Sequence, residues 1–151
     1  MTVHPFRIDV PQSVLDDLPE RLRRTRWAED AQGDGWDRGT NPQYLKELCA
    51  YWRDRFDWPK QQGYLNTFRH FRADIDGVGL HFIHQRGKAA NAIPLLLVHG
   101  WPDSFARFLK IIPMLTDPEA HGGDASDSFD VIVPSLPGYG FSDKPQKPEL
   151  T

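Results

Sequence analysis

Cysteine is almost missing: Cys49 is the only one in 151 residues. A disulfide framework within the chain is thereby excluded, and the usage fits a reducing compartment, so a cytoplasmic location is expected. Long apolar runs are also missing. The longest, residues 93–98, is far shorter than a membrane-crossing helix requires, so no membrane span is expected. Residues 1–10 hold no apolar stretch of the kind a secretory leader carries. Blocks of basic charge are absent. Lys and Arg are scattered among acids and the net charge is −3, which leaves no footprint for nucleic acid. His70, His81, His84 and His121 do not stand at metal-ligand spacing with carboxylates or Cys49, so neither a metal nor a cofactor is expected. A G-x-S-x-G frame, which would hold a serine on a strand-to-helix elbow, occurs nowhere.

What is present is enough for a folded core. Apolar residues make up 39% of the chain and charged residues 26%, outside the range of disordered segments. The first half, to about residue 66, is rich in Trp, Arg and acids and has little β character. Residues 16–27 read as a turn followed by a short helix with Pro19 in its first turn, and Leu15, Leu18 and Leu22 share a stripe. Residues 30–40, with glycines and aspartates in quick succession, read as loop. Asn41-Pro42 is a strong helix start, followed at helical spacing by Tyr44, Leu45, Leu48, Trp52 and Phe56, with an end expected before Pro59. Cys49 falls inside this helix with no His near in sequence and reads as a small buried apolar residue.

The second half alternates strands with turns. Residues 68–75 and 79–85 flank Asp76-Gly77, a hairpin signal. His81 and His84 lie on its second strand, where packing or capping is the expected role. Residues 93–98 are continuously apolar, as a strand buried on both faces should be. Residues 104–115 place Phe105, Phe108, Leu109, Ile112 and Leu115 on one helical face, and residues 129–133 form another apolar strand. Strand–helix–strand from 93 to 133 argues a parallel crossover.

Two strand ends carry the chemistry-bearing turns. His99-Gly100-Trp101-Pro102 follows the first apolar strand directly, at the place where open α/β sheets gather ligands. Gly100 lets the backbone turn, Pro102 favours a cis peptide after Trp101, and N–H groups of such a turn can face a developing oxyanion. The plain alternative is a structural turn with Trp101 packed in the core. The second turn is Pro134-Ser135-Leu136-Pro137-Gly138-Tyr139-Gly140-Phe141-Ser142-Asp143. Its expected role is to support the first. Ser142 lacks the elbow frame a nucleophile needs.

These motifs together resemble the N-terminal region of the microsomal-type epoxide hydrolases, a branch of the α/β-hydrolase superfamily. The resemblance rests on residues 6–10 and 15–27, on Tyr51-Trp52, Asp57-Trp58 and Leu65-Asn66, on Phe71, Ile75-Asp76-Gly77 and His81-Phe82-Ile83-His84, and on the two turns. It implies an α/β fold that is the N-terminal portion of an α/β-hydrolase: a helical or irregular segment over 1–66, then a β-hairpin and the strand–helix–strand of a mostly parallel sheet over 67–151. It implies that an aspartate attacks an epoxide carbon, that cap-domain tyrosines protonate the epoxide oxygen, and that a His–acid pair then activates water against the covalent ester, giving a vicinal diol. The Trp101 backbone N–H would be one oxyanion donor, with His99, Gly100 and Pro102 supporting it. The Trp101 side chain would line the pocket of a small hydrophobic epoxide. The sequence departs from the family pattern at Asp103, where Gly is usual, and at Arg107, where Glu is common.

The family's nucleophile, cap, base and charge partner follow later in sequence, so these residues would supply the oxyanion-side loop without activity of their own. The family's strand order makes the 93–98 strand innermost of those present, with an open edge that favours aggregation. A stable preparation would imply a second chain carrying the remaining strands. Two other readings stay open. One is a different α/β-hydrolase, such as a haloalkane dehalogenase or an esterase; a dehalogenase usually replaces the Trp of the turn. The other is a non-catalytic remnant or interaction module. The Trp/Arg-rich first segment favours the epoxide hydrolase.

Overall fold

The computed structural model describes residues 2–28, 35–37 and 39–146. Two compact units emerge, one from residues 1–7 with 65–151 and the other from residues 8–64. Among the described residues, no helix is long and apolar enough to cross a membrane.

The smaller unit is helical. Helix α1 (Gln12–Arg23) starts a turn earlier than its stripe suggested, and Pro19 lies inside it rather than in its first turn. Proline removes one helical hydrogen bond, but Glu20 offsets part of this by pairing with Arg23 and Arg24 at the helix end. Helix α2 (Pro42–Asp54) begins as expected: Asn41 Oδ1 accepts the Tyr44 N–H at 2.9 Å, with Pro42 at the first helical position. Its residues 30–40 neighbour, expected as loop, lies partly outside the described residues. Helix α3 (Trp58–Leu65) was not foreseen. Its signal was Asp57, whose carboxylate accepts the Lys60 N–H at 2.9 Å, with Pro59 in the first turn where a missing N–H costs nothing. Helices α1 and α2 pack together and bound an apolar groove of about 850 Å3 lined by Leu15, Leu18, Leu48, Trp52, Phe56 and Trp58. Cys49 is half-buried rather than buried.

The larger unit is a five-stranded sheet in the order β1-β2-β3-β5-β4. Strand β1 (Val3–Phe6) corrects the expectation of little β character in the first half. It adds antiparallel to β2 (His70–Ile75) as an edge strand, where Pro5 needs no ladder N–H. Strands β2 and β3 (Val78–Gln85) form the expected hairpin. Asp76 and Gly77 both take left-handed backbone (φ 54° and 81°), as a two-residue hairpin turn demands. Strand β5 (Phe129–Pro134) pairs antiparallel with β3 and parallel with β4 (Ile93–Leu96), which is the expected crossover.

Strand β4 is not buried on both faces. It is the second edge of the sheet, and Ile93 and Leu96 are 64% and 60% exposed. Only β5 flanks it among the described residues. The helix expected over 104–115 is also corrected. A 3-10 turn (Phe105–Phe108) precedes a short helix α4 (Ile112–Thr116), because Pro113 can neither donate to nor sit beneath a continuous helical ladder. The face survives the break: Phe105, Leu109, Ile112 and Thr116 are buried, at helical spacing. The core lies between this segment and the inward positions of the sheet, Ile83, Val131 and Val133 among them.

Candidate active site

Because β4 and β5 run parallel, their C-terminal ends leave the sheet on the same side and bring the two turns together. His99 joins them. Its ring is 3% exposed. Nε2 accepts the Leu136 N–H at 3.1 Å, so the ring proton resides on Nδ1, which donates to the Gly100 carbonyl at 3.0 Å. Tyr139 packs edge-on against the ring at 5.2 Å.

The Gly100 carbonyl and the Trp101 N–H belong to one peptide plane and point in opposite directions. Holding the carbonyl toward the buried His99 therefore aims the N–H away from the core. Among the described residues no acceptor takes that N–H. Trp101 itself is 81% exposed and joined to Pro102 by a cis peptide, so it does not pack as a core residue. Pro102 is exposed beside it. The two departures from the family pattern meet: Arg107 pairs with Asp103, whose carboxylate also accepts the Ser104 N–H at 2.8 Å.

The second turn is anchored to β3. Ser142 Oγ accepts the His81 N–H and donates to the Ser135 carbonyl, both at 2.8 Å. The hydroxyl proton goes to a backbone carbonyl, which is not the general base that a nucleophilic serine needs. Asp143 closes the loop. Its carboxylate accepts the Gly79 N–H at 3.0 Å and pairs with Arg72 at 2.7 Å, which holds its pKa below the usual carboxylate value.

Beneath this lies a feature that sequence reasoning missed. Ser135 Oγ meets His81 Nδ1 at 2.8 Å, His81 Nε2 meets His70 Nδ1 at 2.9 Å, and His70 Nε2 meets the Leu65 carbonyl at 2.7 Å. The carbonyl can only accept, so every proton is assigned: Leu65 O takes from His70, His70 from His81, and His81 from the Ser135 hydroxyl. Burial pushes the His81 pKa down to about 3, with the nearby His70 and Arg72 charges acting the same way. Burial lowers His70 as well, against the opposing bond to Leu65. A Ser–His contact of this length would suit a nucleophile, but both side chains are 0% exposed, so the pair holds structure. The signal available in sequence was the hairpin register, which sets His70 opposite Ile83 and His81 opposite Arg72, diagonal neighbours on one face.

Comparison with known proteins agrees with this arrangement. The family model described as epoxide hydrolase N terminus matches residues 3–108, and that for the alpha/beta hydrolase fold matches residues 93–150. The chain belongs to the epoxide hydrolase family. A family relative from Stigmatella aurantiaca is 54% identical over 95% of this chain and 32% of its own. Epoxide hydrolase 1 of Oryctolagus cuniculus is 43% identical over 97% of this chain and 33% of its own. Among solved structures, the juvenile hormone epoxide hydrolase of the silkworm Bombyx mori superposes with a TM-score of 0.84 at 34% identity, over 99% of this chain and 36% of that one. The Aspergillus niger epoxide hydrolase gives 0.80 at 30% identity, over 96% and 38%. The chain thus spans about a third of the length of these family members. Its sheet is the opening of their α/β-hydrolase fold.

Proposed function

We propose that these residues are the oxyanion side of an epoxide hydrolase acting on small hydrophobic epoxides, and that they are inactive alone. The observation that carries the reading is the Trp101 N–H, which has no acceptor among the described residues in the turn that follows β4; the mechanism that the family resemblance implies passes through a covalent ester. In that reaction a carboxylate opens the epoxide, a proton reaches the ring oxygen, and water then attacks the ester carbonyl. The negative charge on that carbonyl oxygen is what an N–H held in advance stabilises. His99, Gly100 and Pro102 hold the turn, and the exposed Trp101 indole lines the epoxide pocket. Residues 1–66 act as the family's N-terminal segment and 67–151 as the first strands of the core. The nucleophile, the cap and the water-activating pair come from outside these residues, whether in the same reading frame or in a second chain seated along β4. Cytoplasmic location fits the single half-buried cysteine.

The test is hydrolysis of an aryl epoxide such as styrene oxide, followed as diol formation. The longest reading frame containing these residues is expected to turn it over, and the 151-residue polypeptide is not. Turnover by the polypeptide alone would overturn the incomplete-site reading. No turnover by the full reading frame across aryl and alkyl epoxides would overturn the activity.

A further inference from the structure

The hydrogen bonds between the two turns line up in one direction. The His81 N–H donates to Ser142 Oγ, and the Ser142 hydroxyl donates to the Ser135 carbonyl. That carbonyl shares a peptide plane with the Leu136 N–H, which donates to His99 Nε2. The proton on His99 Nδ1 goes to the Gly100 carbonyl, and that carbonyl shares a plane with the Trp101 N–H. Each group accepts on one side and donates on the other. The dipoles therefore add head to tail, and the last donor in the series has no acceptor among the described residues.

We propose that Ser142 is a positioning residue for the oxyanion donor: its hydroxyl, two peptide planes and the His99 ring form a polarised hydrogen-bond chain that aims the Trp101 N–H and strengthens it. The role rests on the epoxide hydrolase reading for its consequence in catalysis, but the chain itself can be tested without it.

Three features support the assignment. The direction of the chain is fixed rather than free. A backbone N–H at its start can only donate, so Ser142 must direct its proton to Ser135, and the Leu136 N–H requires an unprotonated Nε2 on His99. The groups in the middle are shielded: Ser135 and His99 are buried, so little water competes for their bonds. And the Ser135 carbonyl has no freedom to drift, because the Ser135 N–H donates to the His81 carbonyl at 2.8 Å and its hydroxyl to the His81 ring. Cooperative strengthening is on the order of 10–30% per bond in condensed phase. Loss of a whole oxyanion donor lowers kcat about 100- to 1,000-fold. Loss of Ser142 should therefore weaken the donor without removing it.

The experiment compares the full-length protein with Ser142→Ala and Ser142→Thr. The Trp101 amide proton is read by NMR, and kcat and KM are read on styrene oxide. The hydroxyl-free variant is expected to move the Trp101 amide proton upfield and to lower kcat about three- to tenfold with KM little changed, in line with partial loss of a donor. Ser142→Thr, which keeps the hydroxyl, is expected to restore both. If Ser142→Ala does not fold, Ser142→Cys fills the same space with a weak donor and gives the same comparison. An unmoved Trp101 resonance in the Ala or Cys variant overturns the proposal, and so does a kcat loss that Thr fails to rescue. Absence of turnover in the unsubstituted protein would instead refute the epoxide hydrolase reading, and the Trp101 resonance would still decide the chain.

Discussion

His70 and His81 face one another edge to edge through Nδ1 and Nε2 at 2.9 Å, their ring planes within 20° and their centroids 5.2 Å apart. A single proton fits between the two nitrogens. A second proton would put a net charge on a pair shielded from water and would force the Ser135 hydroxyl to turn from donor to acceptor. The groups packed around His81 offer no compensation: Phe6, Phe105 and Phe141 are apolar, and Arg72 is cationic.

A pH dependence of stability follows from this pair. The folded His81 pKa is about 3, whereas an unperturbed histidine titrates near 6.5. Between those values the unfolded chain binds a proton that the native state refuses. Stability is therefore full above about pH 7 and falls as the pH drops through 6.5, by about 1.4 kcal/mol per pH unit for this one group. His70 shifts in the same direction and adds to the slope. Urea unfolding between pH 7.5 and 5, where carboxylates stay ionised, should show the loss. His81→Phe keeps the ring contacts, lowers stability at pH 7.5 by leaving His70 Nδ1 and the Ser135 hydroxyl without their partner, and should flatten the slope. An unchanged slope would show that the pair does not govern it.

Much of this architecture was legible in the chain, and the failures have causes. The hairpin was legible because Asp76-Gly77 supplies both left-handed positions, and α2 because Asn41-Pro42 combines a cap with a fixed φ. The turn at residues 99–102 was legible as a turn because a glycine and a proline directly follow an apolar run. What was lost depends on partners far away in sequence. Strand β1 is set by pairing with β2 some 65 residues later, and its Pro5 argued against a strand while permitting an edge. The His70–His81–Ser135 series depends on register and on a strand end beyond it, which no local pattern encodes. The role of Ser142 needed the same long-range information.

In the helical unit, Gln62 Oε1 accepts two donors, the Val10 N–H at 2.9 Å and the Trp58 indole N–H at 3.1 Å. Gln62→Leu removes the shared acceptor of both donors and should cost about 1–3 kcal/mol, since the donors are only partly buried. Gln62→Glu keeps the oxygen in place and should cost less. Thermal unfolding of the two variants gives the order, and equal losses would show that packing, not the shared acceptor, matters at this position.

The exposed edge at β4 predicts self-association of the 151-residue polypeptide, because Ile93 and Leu96 sit on an unpaired ladder. Leu96→Lys places a charge there and should shift the polypeptide toward monomer in light scattering at equal concentration. Monodisperse, cooperatively unfolding polypeptide without the substitution would remove the premise.

Two glycines of the second turn separate backbone strain from steric contact. Gly138 and Gly140 both have left-handed backbone, with φ of 84° and 51°. A Cβ on Gly138 would meet only Pro145 Cδ at 3.7 Å, an ordinary contact, so Gly138→Ala should cost about 1 kcal/mol from the backbone alone. A Cβ on Gly140 would lie 2.5 Å from Ser135 Oγ and 3.4 Å from Phe105. Ser135 is buried and tied to His81 through its N–H and its hydroxyl, so it cannot withdraw without giving up a bond. Gly140→Ala should therefore lose about 2–4 kcal/mol, the backbone cost plus that of an unpaired buried group. It should also disturb Leu136 and, through its bond, His99. Chemical denaturation measures the first effect, and the His99 ring nitrogen resonances report the second. Equal destabilisation by the two alanines would mean that the turn yields around residue 140, and that Ser135 is held less firmly than its bonds indicate.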